Sequence, residues 1–228
     1  MSSDDEVWRL ARELTIDGER NNAIAKLTHI GATSVPILIR FLGQGSATSP
    51  GQQRGAIQAL AGIGDVAVPA LVECLNTSPD GWARLGAADA LSIQGKGYLA
   101  VPALTALLQG SPDTGRFAAI ALGRMGEAGR PALPALTTMM KSHPLNWSRV
   151  DAAAALARLG ETKKAVPVLI GFLRDRQWEV RASAWRGLRD VADSVTSHSK
   201  KLAKLAEAEE NPWVSGVAAE AISRITGA

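Results

Sequence analysis

The residues of this chain best suited to contact another molecule are tryptophans followed two or three positions later by an arginine. An indole offers a large, rigid apolar surface and a guanidinium offers a fork of donors, and this combination is enriched at binding hot spots. We name the set the Trp/Arg edge, and it includes two arginines, Arg54 and Arg116, near the equivalent place of segments that have no tryptophan. Its other members are Trp82, Arg84, Trp147, Arg149, Trp178 and Arg181, and all but Arg54 are predicted binding residues.

The Trp/Arg edge has a binding interpretation and a structural one. Trp147 shares a helical stripe with Asp151 and Arg158, which is not the composition of a core, so we expect the indoles to be partly exposed and to contact a partner. In the structural interpretation, the arginines donate hydrogen bonds to neighbouring corners between helices, and the tryptophans cover helix ends. The sequence leaves both interpretations open.

Trp185 is a further candidate because it stands where sister segments have alanine, at Ala88 and Ala153. The bicyclic ring of Trp185 in place of a methyl group has two possible explanations. Either the neighbouring side chains repack locally, for which Gly187 makes room, or the ring forms the wall of a pocket. We therefore add Trp185 to the predicted binding residues.

Residues typical of catalysis or metal binding are not grouped in the sequence. His29, His143 and His198 are far apart, so they offer no close pair for a zinc site. Cys74, the only cysteine, lies in the apolar run VPALVECL, which indicates a buried structural thiol. No phosphate-binding Gly-Lys-Ser/Thr motif and no Gly-x-Ser-x-Gly motif occurs. We expect no enzymatic activity, no metal and no cofactor.

The overall charge is small, because 25 basic residues stand against 22 acidic ones. A net charge of +3 does not by itself indicate a nucleic-acid or membrane partner. The charge is unevenly distributed, since residues 145–204 contain twelve Lys or Arg and six Asp or Glu. The N-terminus lacks a basic leader followed by an apolar run, and no run of about 18 apolar residues occurs, so we expect a cytoplasmic protein with no membrane partner.

A repeat determines which elements must position the Trp/Arg edge. Five segments of the type Val-Pro-x-Leu recur at spacings of 33, 33, 32 and 33 residues. Proline is favoured in the first turn of a helix, so each segment is predicted to open a short first helix. The five prolines are Pro36, Pro69, Pro102, Pro134 and Pro167.

Each first helix is followed by a polar corner and a longer, Ala-rich second helix. The second helices contain small residues for close packing, and several end at Gly31, Gly64, Gly126 or Gly160. The predicted corners are Ser49-Pro50, Ser78-Pro79, Ser111-Pro112, His143-Pro144 and Asn211-Pro212. We predict seven helix pairs in one repeat domain over residues 1–228, with capping pairs at about 1–31 and 195–228.

The Val-Pro-x-Leu openings, together with VRASA and RVDAAAALARLG, resemble HEAT repeats of the short phycobilisome-lyase-like type over nearly the whole chain. The Thr-Pro-Leu-His turn of ankyrin repeats, which share the period, does not occur. The resemblance implies an all-α fold, an α-α superhelix or HEAT-like solenoid, whose second helices line the concave side. It also implies a usual role in protein–protein interaction.

We therefore interpret the chain as a non-catalytic scaffold that binds a protein or peptide of unknown identity. A first alternative is a nucleic-acid binder or HEAT-like DNA glycosylase, because such glycosylases combine exposed tryptophans with a carboxylate, as Trp147 and Asp151 would here. No motif of that family matches residue by residue. A second alternative, which the repeat subclass alone suggests, is a bilin lyase subunit or chaperone. DNA binding that depends on salt, or visible absorbance after incubation with bilin, would distinguish these.

Overall fold

The computed structural model describes residues 3–16, 18–42 and 50–227, and within these ranges all regular structure is helical. The described residues form fourteen α-helices in seven consecutive pairs, which confirms the predicted all-α fold and the predicted number of pairs. The helices are α1 Ser3–Glu13, α2 Arg20–Ile30, α3 Val35–Leu42, α4 Pro50–Ile63, α5 Val68–Thr77, α6 Gly81–Ile93, α7 Val101–Leu107, α8 Pro112–Arg124, α9 Leu133–Ser142, α10 Asn146–Arg158, α11 Thr162–Phe172, α12 Trp178–Asp190, α13 Ser199–Glu207 and α14 Pro212–Thr226.

The repeated proline opens four of the first helices, as predicted. α3, α5, α7 and α9 each begin one residue before it. In this first turn an N–H group would have no partner within the helix, so the N–H that proline lacks is not needed. In the sixth pair the prediction is wrong, because α11 begins at Thr162 and Pro167 lies inside it. The residues Thr-Lys-Lys-Ala contain no Gly or Pro and form an extra helical turn, whereas a 3-10 turn precedes the proline in the other four pairs.

The corners between helices lie where the sequence predicts them, except that Ser49 falls outside the described residues. Three corners supply side-chain caps that fix the start of a second helix, at Asp80, Ser111 and Asn211, and two of these caps each satisfy two N–H groups. The Asp80 carboxylate accepts hydrogen bonds from the backbone N–H groups of Trp82 and Ala83 at 2.7 and 3.1 Å. The Asn211 amide oxygen accepts from Trp213 and Val214 at 3.1 Å each. Such caps satisfy N–H groups that have no partner within the helix.

The chain divides into two compact units, Met1–Ala106 and Leu107–Ala228. In the second unit the second helices pack in succession, α8 against α10, α10 against α12, and α12 against α14. In the first unit α2 packs against α4, and α4 against α6. A single repeat domain over 1–228 stays a prediction.

Small residues set the spacing between second helices. A Cβ added to Gly123 of α8 would lie 2.8 Å from the Cα of Ala155 on α10, so only glycine allows this approach. Alanines fill most of the remaining α10 surface, and Ala152, Ala153 and Ala155 have no exposed surface. Alanine and glycine therefore allow α8 and α10 to pack closely, while leucines form much of the remaining core of both units.

The stretch Gln52–Thr77 is long and apolar enough, by length and composition, to cross a membrane. It is not one continuous α-helix. Gly64, with φ of 75°, ends α4 and begins a 3-10 turn to Ala67, after which α5 starts. α4 has 14 residues and α5 has 10, whereas a spanning helix needs about 20.

Candidate binding site

Three tryptophans come together at the N-terminal ends of successive second helices in the second unit. Trp147 is the second residue of α10, Trp178 the first of α12, and Trp213 the second of α14. With arginines from α8 and α12 they surround a cavity of about 320 Å³, which we name the tryptophan pocket. Its lining residues are Arg116, Trp147, Gln177, Trp178, Glu179, Val180, Ser183, Arg186 and Trp213.

The three indoles differ in exposure and in contacts. The rings of Trp178 and Trp213 meet edge to face, with centroids 5.1 Å apart and planes at 86°. These two side chains remain 41% and 49% exposed. Trp147 is half-buried, and its Nε1 atom is buried without a hydrogen-bond partner in the described part of the chain. The pocket thus presents apolar surface from two indoles and is closed on one side by the third.

Arg116 connects this surface to a buried carboxylate. Its guanidinium lies 5.0 Å from the ring centroid of Trp147, and its Nε donates a hydrogen bond of 2.7 Å to Oδ2 of Asp151. Asp151 was expected on an exposed stripe, but it is buried where α10 packs against α8 and α12. Burial raises the pKa of Asp151, while the Arg116 charge and hydrogen bonds from Arg116 and Ser183 act in the opposite direction. The positive charge of Arg116 is therefore already compensated.

Arg186 is the second cation of the tryptophan pocket. Its guanidinium lies 4.7 Å from the ring centroid of Trp213. Across residues 3–16, 18–42 and 50–227, no carboxylate and no hydrogen-bond acceptor is paired with it. Burial, followed by the charge of Arg189, lowers the pKa of Arg186 from its usual value, while the more distant carboxylates of Asp151 and Asp190 act in the opposite direction.

Arg84, Arg149 and Arg181 do not line the tryptophan pocket. Each donates a hydrogen bond to a backbone carbonyl at or near the preceding corner, which is the geometry of the structural interpretation. The donor and acceptor pairs are Arg84 Nε with Ser78 O, Arg149 Nε with Met140 O, and Arg181 Nη1 with Asp175 O. Arg181 also forms two hydrogen bonds with the Glu209 carboxylate, at 2.7 and 2.8 Å. A role for these three arginines in partner binding stays a prediction.

The two remaining candidate tryptophans do not line this pocket. Trp82 is in the first unit, at the second position of α6, and is 44% exposed. Trp185 is on α12 and is only 1% exposed. Its burial agrees with the repacking alternative, but Gly187 makes room for Ala154 and Leu169. A side chain without accessible surface has nothing to offer a partner, so we leave Trp185 out of the proposed site.

Six lining residues were not predicted from the sequence, and the two that matter most for the site are Trp213 and Arg186. The other four are Gln177, Glu179, Val180 and Ser183. The pattern that could have identified Trp213 is its place directly after the Asn211-Pro212 corner, since Trp147 follows the previous proline corner by three residues. The pattern that could have identified Arg186 is its helical spacing. Glu179, Ser183 and Arg186 occupy positions i, i+4 and i+7, so the three lie on one polar stripe of α12.

A family model of HEAT repeats matches residues 17–92 and 133–223, more than half of the chain. This chain belongs to the HEAT-repeat family. The predicted fold class, a HEAT-like solenoid, and the resemblance to short HEAT repeats of the phycobilisome-lyase-like type are confirmed. No curated protein matches the chain.

Solved structures similar to this HEAT-repeat chain include two protein complexes. One is the complex of CpcE and CpcF of phycocyanin lyase from Nostoc sp. PCC7120, with a TM-score of 0.53, 21% identity, and coverage of 99% of this chain and 91% of that one. The other is Kap121p bound to RanGTP, with a TM-score of 0.56, 17% identity, and coverage of 97% of this chain and 29% of that one. At these identities the likeness is one of fold.

Proposed function

We propose that this HEAT-repeat protein is a non-catalytic, cytoplasmic scaffold that binds a protein or peptide partner through the tryptophan pocket of its second unit. The observation that carries the proposal is the convergence of Trp147, Trp178 and Trp213 around a cavity that also holds the guanidinium of Arg186, which has no ion-pair partner among the described residues. Aromatic and arginine side chains that frame a pocket are the usual composition of interface hot spots. The two similar structures are complexes with protein partners, which also supports the proposal.

The pocket is built on rigid elements, which favours binding over chemistry. Its indoles stand in the first turns of packed helices, and the cap at Asn211 holds the start of α14. A site that is already organised loses less conformational entropy when a partner binds. The carboxylate of Asp151 is buried and accepts a hydrogen bond from Arg116, so we assign it the role of counter-charge to that guanidinium. Within the described ranges, no group of three His, Cys, Asp or Glu side chains could hold a metal ion.

The experiment has two stages. Affinity capture from a native lysate, followed by mass spectrometry, identifies a partner, and the purified pair is then titrated. The double variant Trp147→Ala with Trp178→Ala should weaken binding by on the order of 2 kcal/mol or more, because large desolvated rings dominate interface energies. Lys141→Ala, an exposed change on the first helix α9, serves as the control and should bind like the parent.

The melting temperatures of all variants are measured in parallel, because a tryptophan that only covers a helix end would lower stability without specifically lowering affinity. Full affinity of the folded double variant would refute the proposal. Two further outcomes would replace it. Binding of DNA with a steep salt dependence would favour the nucleic-acid alternative. Stable visible absorbance after incubation with bilin would favour a lyase or chaperone role like that of the phycocyanin lyase complex.

A further inference from the structure

Ion pairs connect the successive second helices of the second unit. Each pair joins an arginine on one helix to a carboxylate on the next. They are Arg116 with Asp151 at 2.7 Å, Arg158 with Asp190 at 2.5 Å, and Arg189 with Glu220 at 3.1 Å. Arg186 does not follow this pattern. It lies one turn before Arg189 on α12, but α14 places the indole of Trp213, and not a carboxylate, against it.

The contact with Trp213 leaves the hydrogen-bonding capacity of Arg186 unused. A ring face attracts the charge of a guanidinium, whereas the N–H donors point outward in the guanidinium plane. The Arg186 side chain is half-buried, and no acceptor for its donors is found among the described residues. Its nitrogen atoms keep access to water, and a carboxylate is the group whose geometry matches the guanidinium fork. The pocket therefore carries the positive half of an ion pair.

The surroundings of Arg186 argue against a cationic ligand. The rings of Trp147 and Trp213 already face guanidinium groups at 5.0 and 4.7 Å. An added ammonium group would find the Trp147 face covered by Arg116 and would meet the charge of Arg186 at the Trp213 face. An anionic or neutral ligand is therefore preferred.

The surroundings also argue against a polyanion. A nucleic-acid strand is bound through many cations, but Arg186 is the one lining cation without an ion-pair partner in the described part of the chain. The exposed Glu179 carboxylate at the same pocket repels every phosphate of a strand, so one carboxylate that pairs with Arg186 meets less repulsion than a polyanion. The lysines of this unit are on first helices and do not line the pocket. They are Lys141 on α9, Lys163 and Lys164 on α11, and Lys200, Lys201 and Lys204 on α13.

From this charge distribution we infer that the tryptophan pocket recognises an acidic peptide segment, in which one Asp or Glu carboxylate pairs with Arg186 and a neighbouring apolar side chain packs against Trp178. The inference rests on the proposed function and specifies the chemistry of the partner. A cavity of about 320 Å³ is at the small end of ligand pockets, so it accommodates one or two side chains. The exposed ring of Trp178 supplies the apolar contact beside the charge.

The test uses the full chain as bait for a display library of short random peptides. The parent should enrich peptides with Asp or Glu next to an apolar residue. Replacing that acidic residue of an enriched peptide by its amide should weaken binding at least about tenfold, as for the loss of a charge-assisted bidentate contact. Arg186→Gln should bind the acidic peptide and its amide equally. Arg224→Gln, which removes an exposed guanidinium from α14, should retain the parent's preference.

The outcomes separate this inference from the proposed function. If Trp178→Ala abolishes peptide binding but neither the amide peptide nor Arg186→Gln changes it, the inference is wrong and the proposed function stands. Failure to enrich any peptide would overturn the inference, whereas the proposed function would still be decided by the titration of the partner captured from lysate. A mixed-sequence single-stranded oligonucleotide is tested as a competitor of the enriched peptide. If it displaces the peptide with a steep dependence on salt, the inference and the proposed function are both wrong and the pocket is a nucleic-acid site.

Discussion

Replacing Arg116 with methionine should strongly destabilise the second unit, because it leaves the Asp151 carboxylate buried without its counter-charge. The side chain of Asp151 is 7% exposed, whereas that of Arg116 is 30% exposed and keeps one edge in water. Methionine retains much of the packing volume, so the change removes mainly the charge and the hydrogen bond. Asp151→Asn and the double variant complete a thermodynamic cycle.

The magnitude follows from the geometry of the pair. The closest contact is 2.7 Å. With charge centres about 4 Å apart and an effective dielectric constant of about 20, the attraction is about 4 kcal/mol. The exposed edge of Arg116 reduces this through solvent screening. We therefore expect Arg116→Met to lower the free energy of unfolding by about 3 kcal/mol at neutral pH, within the range for a buried pair that loses one partner.

The pH dependence of the variant is a second readout. Burial raises the folded-state pKa of Asp151, and Arg116 opposes this, so its removal raises that pKa further. Between the folded and unfolded pKa values the native state binds more protons than the unfolded chain, so stability rises as pH falls. The loss in free energy of unfolding caused by Arg116→Met should be largest at neutral pH and smaller in acid. This pH dependence should disappear when Asp151 is also replaced by Asn.

Urea denaturation at several pH values measures these free energies. A coupling energy near zero in the cycle would refute the reasoning, because the pair would then contribute nothing to the fold. So would a deficit that does not depend on pH, since it would point to lost packing and not to an uncompensated carboxylate.

Two further predictions concern packing and acid stability. Gly123→Ala should lower the melting temperature because its Cβ would meet the Ala155 backbone at 2.8 Å, whereas Gly171→Ala, with nothing within 4 Å, should be neutral or stabilising. The hydrogen bond from Arg181 lowers the pKa of Glu209 from 4.5, so its stabilising effect is present at neutral pH and is lost as pH falls through the lowered folded-state value. Glu209→Gln should therefore flatten the acid-side decline of the melting temperature.

Periodicity determined the helix pairs because the repeat depends on local patterns. Proline in a first turn and glycine after a second helix act within a few residues, so the pairs and corners follow from spacing alone. The prediction was wrong at Pro167, where the position of the proline does not show where the helix begins. An extra turn formed because Thr162 and its neighbours favour helix and nothing stops it.

The pocket was only partly predictable because it depends on contacts between helices. Trp147 and Trp178 were found from composition, but the depth of Asp151 depends on how α8, α10 and α12 pack. The same holds for Arg186, since its missing counter-charge is apparent only when α14 is known to place Trp213 against it. Neither contact can be predicted from the residues along one face of a single helix.

The most direct test of the central claim compares two tryptophans of similar exposure. Trp178 lines the tryptophan pocket, whereas Trp82 belongs to the first unit and does not. Each is replaced by alanine, and the affinity for the partner recovered from lysate is measured by calorimetric titration alongside the melting temperature. We predict that Trp178→Ala loses at least about tenfold in affinity while Trp82→Ala binds like the parent. Equal losses in the two variants, or an undiminished affinity of Trp178→Ala, would contradict the assignment of binding to the pocket.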